Sequence, residues 1–261
     1  IPQKFSGKPP INLNSVQRNI DSRFDWNGSK GLSNDIEYYG GFIEKEAKKR
    51  IGKFFPVIHI TQEIAQSRPD LKLYVGQDLP VITWHWARTV KSNNPAFSEV
   101  DVPLITNYML STKKGKEAYI VPVIQGDKYN FEIKIGKPID YQSVKTGTKV
   151  SRGSNFKCLL SGSIIDSNYI KSEGLAGRLG LKLIAITAKG PKGRIYISPT
   201  KEHELIAKNA QPTWKPDLQI GSDKRALWTP LYGLKEFGDL FTDRQLLVLN
   251  IFSELVGELK Q

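Results

Sequence analysis

The chain has 261 residues, 39% of them hydrophobic and 25% charged, a balance typical of a globular protein that buries an apolar core. Its net charge of +12 favours an anionic partner such as nucleic acid, although a solvated basic surface without a partner is the simpler alternative. The single cysteine excludes an internal disulfide and fits a reducing compartment, and no apolar run is long enough to span a membrane. We therefore expect a cytoplasmic protein. The missing initiator methionine suggests a fragment or a processed chain.

The first 80 residues are predicted to form an arm followed by a helical segment. Residues 1–32 are rich in Pro, Gly, Asn and Ser, which predicts an extended arm with one short helix near Val16–Ile20. A longer helix is predicted from Ser33, as N-cap, to Phe55, because Pro56 then ends it. Its buried stripe is expected to consist of Ile36, Tyr39, Ile43, Ala47, Ile51 and Phe54.

The stretch from Val81 to Phe97 is predicted to be a strand followed by a tight turn. Bulky residues alternate on both faces of the strand, which indicates that both faces are covered. The turn cluster Ser92-Asn93-Asn94-Pro95 follows, and a second short strand with a small-residue turn is predicted at Lys157–Ser163. Two such turns, far apart in the chain, have the layout of a zinc ribbon.

Further strands and helices follow from local patterns. Strands are predicted at 102–111, 117–125 and 128–136, followed by a loop at 138–155 and a short helix at 169–175. A hairpin is predicted at 181–198, then a helix from Pro199 to about Asn209 and a linker that Trp214 and Trp228 attach to the body. The last helix is predicted at 243–259, capped by Thr242 and apolar around much of its surface.

Basic residues concentrate at two predicted turns and at the end of one strand. The candidate nucleic-acid contacts are Arg88, Lys91, Lys113, Lys114, Lys116, Lys189, Lys192 and Arg194. Glycines between the lysines let the backbone approach a phosphate, although solvated turns have the same composition.

No catalytic or cofactor-binding residue is predicted. The glycines of Gly174–Gly180 precede a strand instead of following one, so we interpret them as a helix-to-strand connection. Asn94-Pro95-Ala96-Phe97 imitates the N-P-P-F tetrapeptide of amino methyltransferases with one change. His59 and His85 are interpreted as core residues, and His203 as a residue of a surface helix.

Several segments resemble, in chain order, the middle of the large prokaryotic adenine-specific DNA methylases of the DUF1156 type, which carry a zinc-ribbon insert. The segments are WARTVKSNNPAF, STKKGKEAYIVPVI, EGLAGRLGLKLIAITAKGPKGRIYISPTKEHELIA, QPTWKPD and PLYGLKEFGDLFTDRQLLVLNIFSELV. The resemblance implies S-adenosylmethionine as the cofactor of the full-length family. It also places the cofactor loop upstream of Ile1 and the catalytic tetrapeptide downstream of Gln261.

The resemblance further implies four former metal-ligand positions. In the family the first turn resembles C-P-N-P-x-C and the second C-x-x-C, and the matching residues here are Ser92, Phe97, Cys158 and Ser161. A tetrahedral zinc site needs about four sulfur, nitrogen or oxygen ligands, and one thiol cannot hold the ion. We expect the ribbon fold to remain without its metal, with Phe97 filling the former site.

The sequence thus predicts an α+β chain with a β-rich, degenerate zinc-ribbon-like centre at 81–198, flanked by segments 1–80 and 199–261. Its predicted role is the non-catalytic portion of an adenine-specific DNA methyltransferase, which contacts DNA or braces the catalytic halves of the enzyme. The alternative is a stand-alone nucleic-acid-binding or scaffolding protein that has lost the catalytic halves.

Overall fold

A computed structural model describes residues 2–12, 14, 26–150, 153–221, 223, 225 and 227–259. It is a mixed α/β structure with helices and several antiparallel sheets. The helices are α1 (Lys30–Ile51), α2 (Gln62–Ser67), α3 (Tyr141–Thr146), α4 (Ser167–Leu175), α5 (Lys201–Lys208) and α6 (Asp243–Glu258). The short helix predicted near residues 16–20 lies outside the described residues.

Eleven strands form the described sheets. They are β1 (Ile58–His59), β2 (Asp78–Leu79), β3 (Val81–Lys91), β4 (Asp101–Pro103), β5 (Met109–Ser111), β6 (Ala118–Gln125), β7 (Lys128–Ile135), β8 (Phe156–Lys157), β9 (Ile164–Ile165), β10 (Gly180–Gly190) and β11 (Gly193–Ile197). The central sheet has the order β11-β10-β3-β4, and a three-stranded sheet has the order β5-β6-β7. Two two-stranded sheets, β1-β2 and β8-β9, complete the set.

The predicted strand at Val81 is confirmed as the middle of the central sheet. β3 pairs along most of its length with β10, from Val81 opposite Ala188 to Thr89 opposite Gly180. Trp86 and Ala87, neighbours on β3, contact two different buried clusters. Since successive strand residues point to opposite faces, both faces are covered from Trp84 onward, as the sequence indicates, whereas Ile82 and Thr83 near the start of the strand are exposed.

The two clusters join distant parts of the chain. One packs Ile58, Ile60, Leu71 and Leu79 of the β1-to-β2 region against Leu183, Ile186, Ala188, Ile195 and Ile197 of the β10-β11 hairpin. The other packs the three-stranded sheet on the opposite face, with Ile120, Phe131 and Ile133 against Ala87 and Ala185. Buried contacts therefore connect residues on both sides of the expected boundary at residue 80.

The helix predicted at residues 33–55 begins earlier than expected. α1 starts at Lys30, so Ser33 lies inside it and does not cap it. The chain from Lys8 to Pro10 packs so closely on Gly31 that a Cβ there would lie 2.3 Å from the Lys8 carbonyl oxygen. The prediction for Ile36 was wrong, because its side chain is 64% exposed. Ala47 and Ile51 are buried against α6, as predicted.

Other local predictions have mixed outcomes. The 181–198 hairpin and the Thr242 cap of α6 are confirmed, the latter as a capping box with Gln245. The stretch 102–111 divides into β4 and β5, which belong to different sheets, and α3 lies within the predicted loop. The alternation of the sequence would bury Tyr119 and Val121 of β6, but this prediction is wrong, because Ile120 is buried and Tyr119 and Val121 are only half-buried.

Three aromatic predictions were also wrong. Trp214 and Trp228 are 60% and 62% exposed, and so they do not attach the linker to the body. The linker is instead held by Asn250 of α6, whose side chain exchanges hydrogen bonds with the backbone of Thr213 and Trp214. His59 is exposed and contacts Asp78 at 2.8 Å instead of lying in the core.

Candidate nucleic-acid interface

The tip of the β10-β11 hairpin carries three of the predicted basic residues. Lys189 lies directly opposite Arg194. The last paired residues are Gly190 and Gly193, and the two-residue loop Pro191-Lys192 connects them. All three basic side chains are exposed. In the described part of the chain, no carboxylate lies within ion-pair distance of any of them. The tip therefore presents three cations that form no ion pair with any carboxylate of the described residues.

The base of this tip is held by the core. Lys189 donates its backbone N–H to the Pro80 carbonyl at 2.8 Å, and Ala188 and Ile195 belong to the buried cluster below. Ile195 packs over Gly190, and a Cβ at Gly190 would lie 2.4 Å from the Cδ1 atom of Ile195. The basic residues thus extend from a rigid support.

Lys113, Lys114 and Lys116 lie together on a second tip, between β5 and β6. Lys116 donates its backbone N–H to the Lys113 carbonyl at 2.8 Å, and Gly115 takes the positive φ of +75° that the turn requires. All three lysines are exposed, as the sequence predicts for a turn.

Arg88 and Lys91 have partners in the protein and lie away from the β10-β11 tip. Arg88 is half-buried and donates to the Asp239 carbonyl at 3.3 Å, and burial lowers its pKa despite the attraction of Asp239. Lys91 contacts the Glu99 carbonyl at 2.8 Å and the Asp101 carboxylate at 3.2 Å. Since Val81 is the β3 residue next to the tip, Lys91 lies roughly 30 Å away at about 3.3 Å per residue.

The structure brings together three of the four positions that the resemblance predicts to be former metal ligands. Ser92 and Cys158 are both buried, and the Ser161 backbone N–H points at the Cys158 sulfur at 3.5 Å. Burial alone would raise the pKa of the Cys158 thiol, but hydrogen bonds from Ser161, Ser92 and the main chain outweigh it and lower the pKa. The thiol is therefore surrounded by hydroxyl and amide donors.

The two turns that carry these residues are joined directly. Asn93 of the first turn donates its side-chain amide to the Ile164 carbonyl at 2.9 Å, while the second turn is closed on itself by the Cys158 backbone N–H, which donates to the Ser163 carbonyl at 2.9 Å. The residues packed around Cys158 include Val90, Val102 and Phe156, but not Phe97, which is only half-buried. The expectation that Phe97 fills the former site therefore receives no support from this packing.

The glycine-rich connection at 174–180 is structural, as interpreted from the sequence. α4 ends at Leu175, Gly177 takes a φ of +71°, and β10 begins at Gly180. Gly174 packs against the backbone of a neighbouring turn, where a Cβ would lie 2.3 Å from the Tyr232 carbonyl oxygen. The glycines thus serve close backbone packing.

Two histidines have structural partners. His85 shares a hydrogen bond of 2.8 Å with the Thr187 hydroxyl, and burial lowers its pKa. His203 completes the capping box of α5 with Thr200 and packs edge-on against Trp84. Burial lowers the pKa of His203 as well. Each histidine thus has a threonine hydroxyl as a hydrogen-bond partner within the fold.

A buried arginine was not predicted from the sequence. The Arg244 guanidinium lies 4.4 Å from the Trp84 ring centre, 4.9 Å from that of Phe55 and 6.0 Å from that of Trp86. It donates to the Phe54 carbonyl at 3.0 Å, and burial lowers its pKa to about 10. The aromatic partners come from distant segments, so no local pattern signals this cluster.

Among the described residues, no group of three or more His, Cys, Asp and Glu side chains is placed to hold a metal ion. None of the described helices combines the length and apolar character that a membrane span requires.

No protein-family model, curated protein or solved structure matches the chain. The resemblance to DNA methylases therefore stays a prediction, and the function has to be argued from the site itself.

Proposed function

We propose that the chain is a non-catalytic portion of an adenine-specific DNA methyltransferase that contacts DNA phosphates through its basic hairpin tips. The catalytic halves, in the same or a separate chain, would supply the S-adenosylmethionine site and the target-base pocket. In this proposal the β3-β4 and β8-β9 turns are a degenerate zinc ribbon. The proximity of Ser92, Cys158 and Ser161 supports that assignment.

One observation carries the DNA contact. Lys189 and Arg194 are a directly opposed cross-strand pair, and like charges in that position destabilise a hairpin by up to about 1 kcal/mol. Lys192 adds a third positive charge in the adjoining loop. A polyanion bound at the tip would offset this repulsion, whereas the free chain has to tolerate it.

Charge reversal at the tips tests the proposal. Wild-type protein should bind duplex DNA non-specifically, with affinity falling roughly a hundredfold between 50 and 200 mM salt if about four phosphates are contacted. Lys189→Glu with Lys192→Glu, and separately Lys113→Glu with Lys114→Glu, should lower both the affinity and the salt slope. Lys113→Glu with Lys114→Glu should barely change thermal stability because these residues are exposed, whereas Lys189→Glu turns a like-charge pair into an opposite-charge pair with Arg194 and should raise it slightly.

The matched control for charge reversal is Lys201→Glu with Lys208→Glu on α5. These exposed lysines change the net charge equally but lie on the helix that follows the far end of β11. If the control and the tip variants lost DNA affinity equally, the loss would be explained by net charge alone. No binding by wild-type protein at 50 mM salt, or tip variants with unchanged affinity and slope, would refute the DNA contact.

A substitution of Arg194 distinguishes the effect of this residue on DNA binding from its effect on stability. Arg194→Thr removes the like-charge repulsion and places a β-branched residue in a strand, so the free energy of unfolding should rise by about 0.5 kcal/mol. DNA affinity should nevertheless fall, because one phosphate contact is lost. Chemical denaturation and a salt-titrated binding assay measure the two quantities. A destabilised variant would show that Arg194 supports the fold instead.

The alternative is a stand-alone nucleic-acid-binding or scaffolding protein, and α6 supports its scaffolding form. Leu249, Phe252 and Val256 share the outer face of this helix and are each 41–48% exposed. Their spacing of three and four residues is that of a helix-packing seam. If the tip variants bind DNA like the wild type, this face becomes the favoured interaction surface.

A further inference from the structure

The β10-β11 tip also carries an exposed proline. Pro191 is the first of the two loop residues, next to Lys192 and between Gly190 and Gly193. In the described chain only glycines have positive φ, and Gly193 takes +123°, so the turn is not of the mirror-image type that most two-residue hairpins use. Proline is favoured at the first central position of the ordinary turn types.

The end of the ribbon is narrow. Gly190 and Gly193 are the last paired residues and have no side chains, so the tip beyond Lys189 and Arg194 consists of backbone, the Pro191 ring and the Lys192 side chain. A Cβ at Gly193 would meet no atom within 4 Å, which shows open space on that side. An apolar ring is thus presented at the extremity of a thin, rigidly supported ribbon.

Three basic residues lie close to Pro191 along the ribbon. Lys192 adjoins Pro191 in sequence, and Lys189 and Arg194 lie one step back on the two strands. Proteins that bind the minor groove combine basic side chains with an apolar wedge, proline among them, that partly unstacks a base step and bends the duplex. The narrow, strongly negative minor groove of A·T-rich DNA attracts Arg and Lys.

We infer that this tip enters the minor groove of duplex DNA, with Pro191 as the wedge and Lys189, Lys192 and Arg194 on the flanking phosphates. The inference rests on the proposed DNA contact and adds that the tip enters the minor groove, that it bends the duplex, and that it prefers A·T-rich sequence containing flexible TA steps. The β5-β6 tip, with Lys113, Lys114 and Gly115, offers no apolar residue at its turn. It would contact phosphates without bending the duplex.

The test is a pair of substitutions at one position. Pro191→Ser removes the apolar ring, and Pro191→Leu keeps an apolar side chain at the tip. Wild-type protein should bend an A·T-rich duplex of about 20–30 base pairs by roughly 20–90°, measured by energy transfer between dyes on its two ends. Pro191→Ser should lose at least half of the bend with an unchanged salt slope, and Pro191→Leu should retain it.

Lys192→Ala tests the phosphate contacts separately from the wedge. This variant should lower the salt slope by about 1 and weaken binding to all duplexes alike. Salt-dependent binding without a bend, or a bend that Pro191→Ser leaves intact, would overturn the wedge and leave the phosphate contact standing. Absence of duplex binding by wild-type protein would overturn the proposed function itself. Because Pro191 is exposed, both variants should fold, which their thermal unfolding checks.

Discussion

The triple substitution Ser92→Cys, Phe97→Cys and Ser161→Cys is expected to create a tight zinc site, whereas purified wild-type chain should contain no stoichiometric zinc. The Ser161 backbone N–H points at the Cys158 sulfur at 3.5 Å, and the hydroxyl groups of Ser161 and Ser92 help to lower the pKa of this thiol. With zinc–sulfur bonds of about 2.3 Å, tetrahedral thiolates lie about 3.8 Å apart, close to such a hydrogen-bonded spacing. Positions 92, 158 and 161 are already close together, whereas position 97, on the same turn as Ser92, has to approach them, so we expect a dissociation constant between micromolar and nanomolar, about −8 to −12 kcal/mol.

Elemental analysis should find one zinc per chain of the triple variant, and a chelator should lower its thermal stability. At a free zinc concentration a thousandfold above the dissociation constant, the stabilisation would be about 4 kcal/mol. Adding Cys158→Ala to the triple variant is the control and should abolish tight binding. A triple variant without zinc would contradict the zinc-ribbon assignment and weaken the proposed relation to the methylases.

Arg244→Ala is expected to lower the free energy of unfolding by about 3 kcal/mol. The substitution removes a guanidinium packed against Trp84 and Phe55, and leaves the Phe54 carbonyl without its donor. It also opens a cavity between α6 and β3, which adds a packing cost. The cost of burying the charge, seen in the lowered pKa of Arg244, is relieved at the same time and limits the loss.

Denaturant unfolding measures this change in the free energy of unfolding, and two further variants serve as comparisons. Arg225→Ala removes an exposed arginine paired with Asp223 and should stay within about 0.5 kcal/mol of wild type. Arg244→Met fills the volume without the charge, so its difference from Arg244→Ala reports the packing component. An Arg244→Ala protein as stable as wild type would mean that the aromatic cluster contributes nothing net.

Elements with complete local signals were predicted well from the sequence. α6 has Thr242 and Gln245 at capping-box spacing, and the β10-β11 hairpin has a Gly- and Pro-containing turn between two apolar runs. Their determinants lie within a few residues of one another, so no knowledge of distant segments is needed. The same holds for the basic tips, since a turn of lysines and glycines is exposed wherever it is placed.

Errors arose where distant segments compete with local patterns. Ser33 has the chemistry of an N-cap, but α1 extends to Lys30, where Gly31 packs beneath Lys8–Pro10. Ile36 continues the apolar stripe of α1 and is exposed all the same. The face of β6 depends on which neighbour it packs against, and alternation alone does not decide between two apolar faces.

The sequence by itself determined that the chain is α+β, basic, and supplied with two lysine-rich turns, because composition and short-range periodicity express these properties. Only the tertiary structure decided which basic residues are free. Arg88 donates to the main-chain carbonyl of Asp239, and Lys91 pairs with the carboxylate of Asp101. Lys189 and Arg194 instead face each other without a carboxylate partner in the described chain. The physical reason is that a side chain's partners are set by packing between elements. Arg88 and Asp239, for example, are 151 positions apart in the chain.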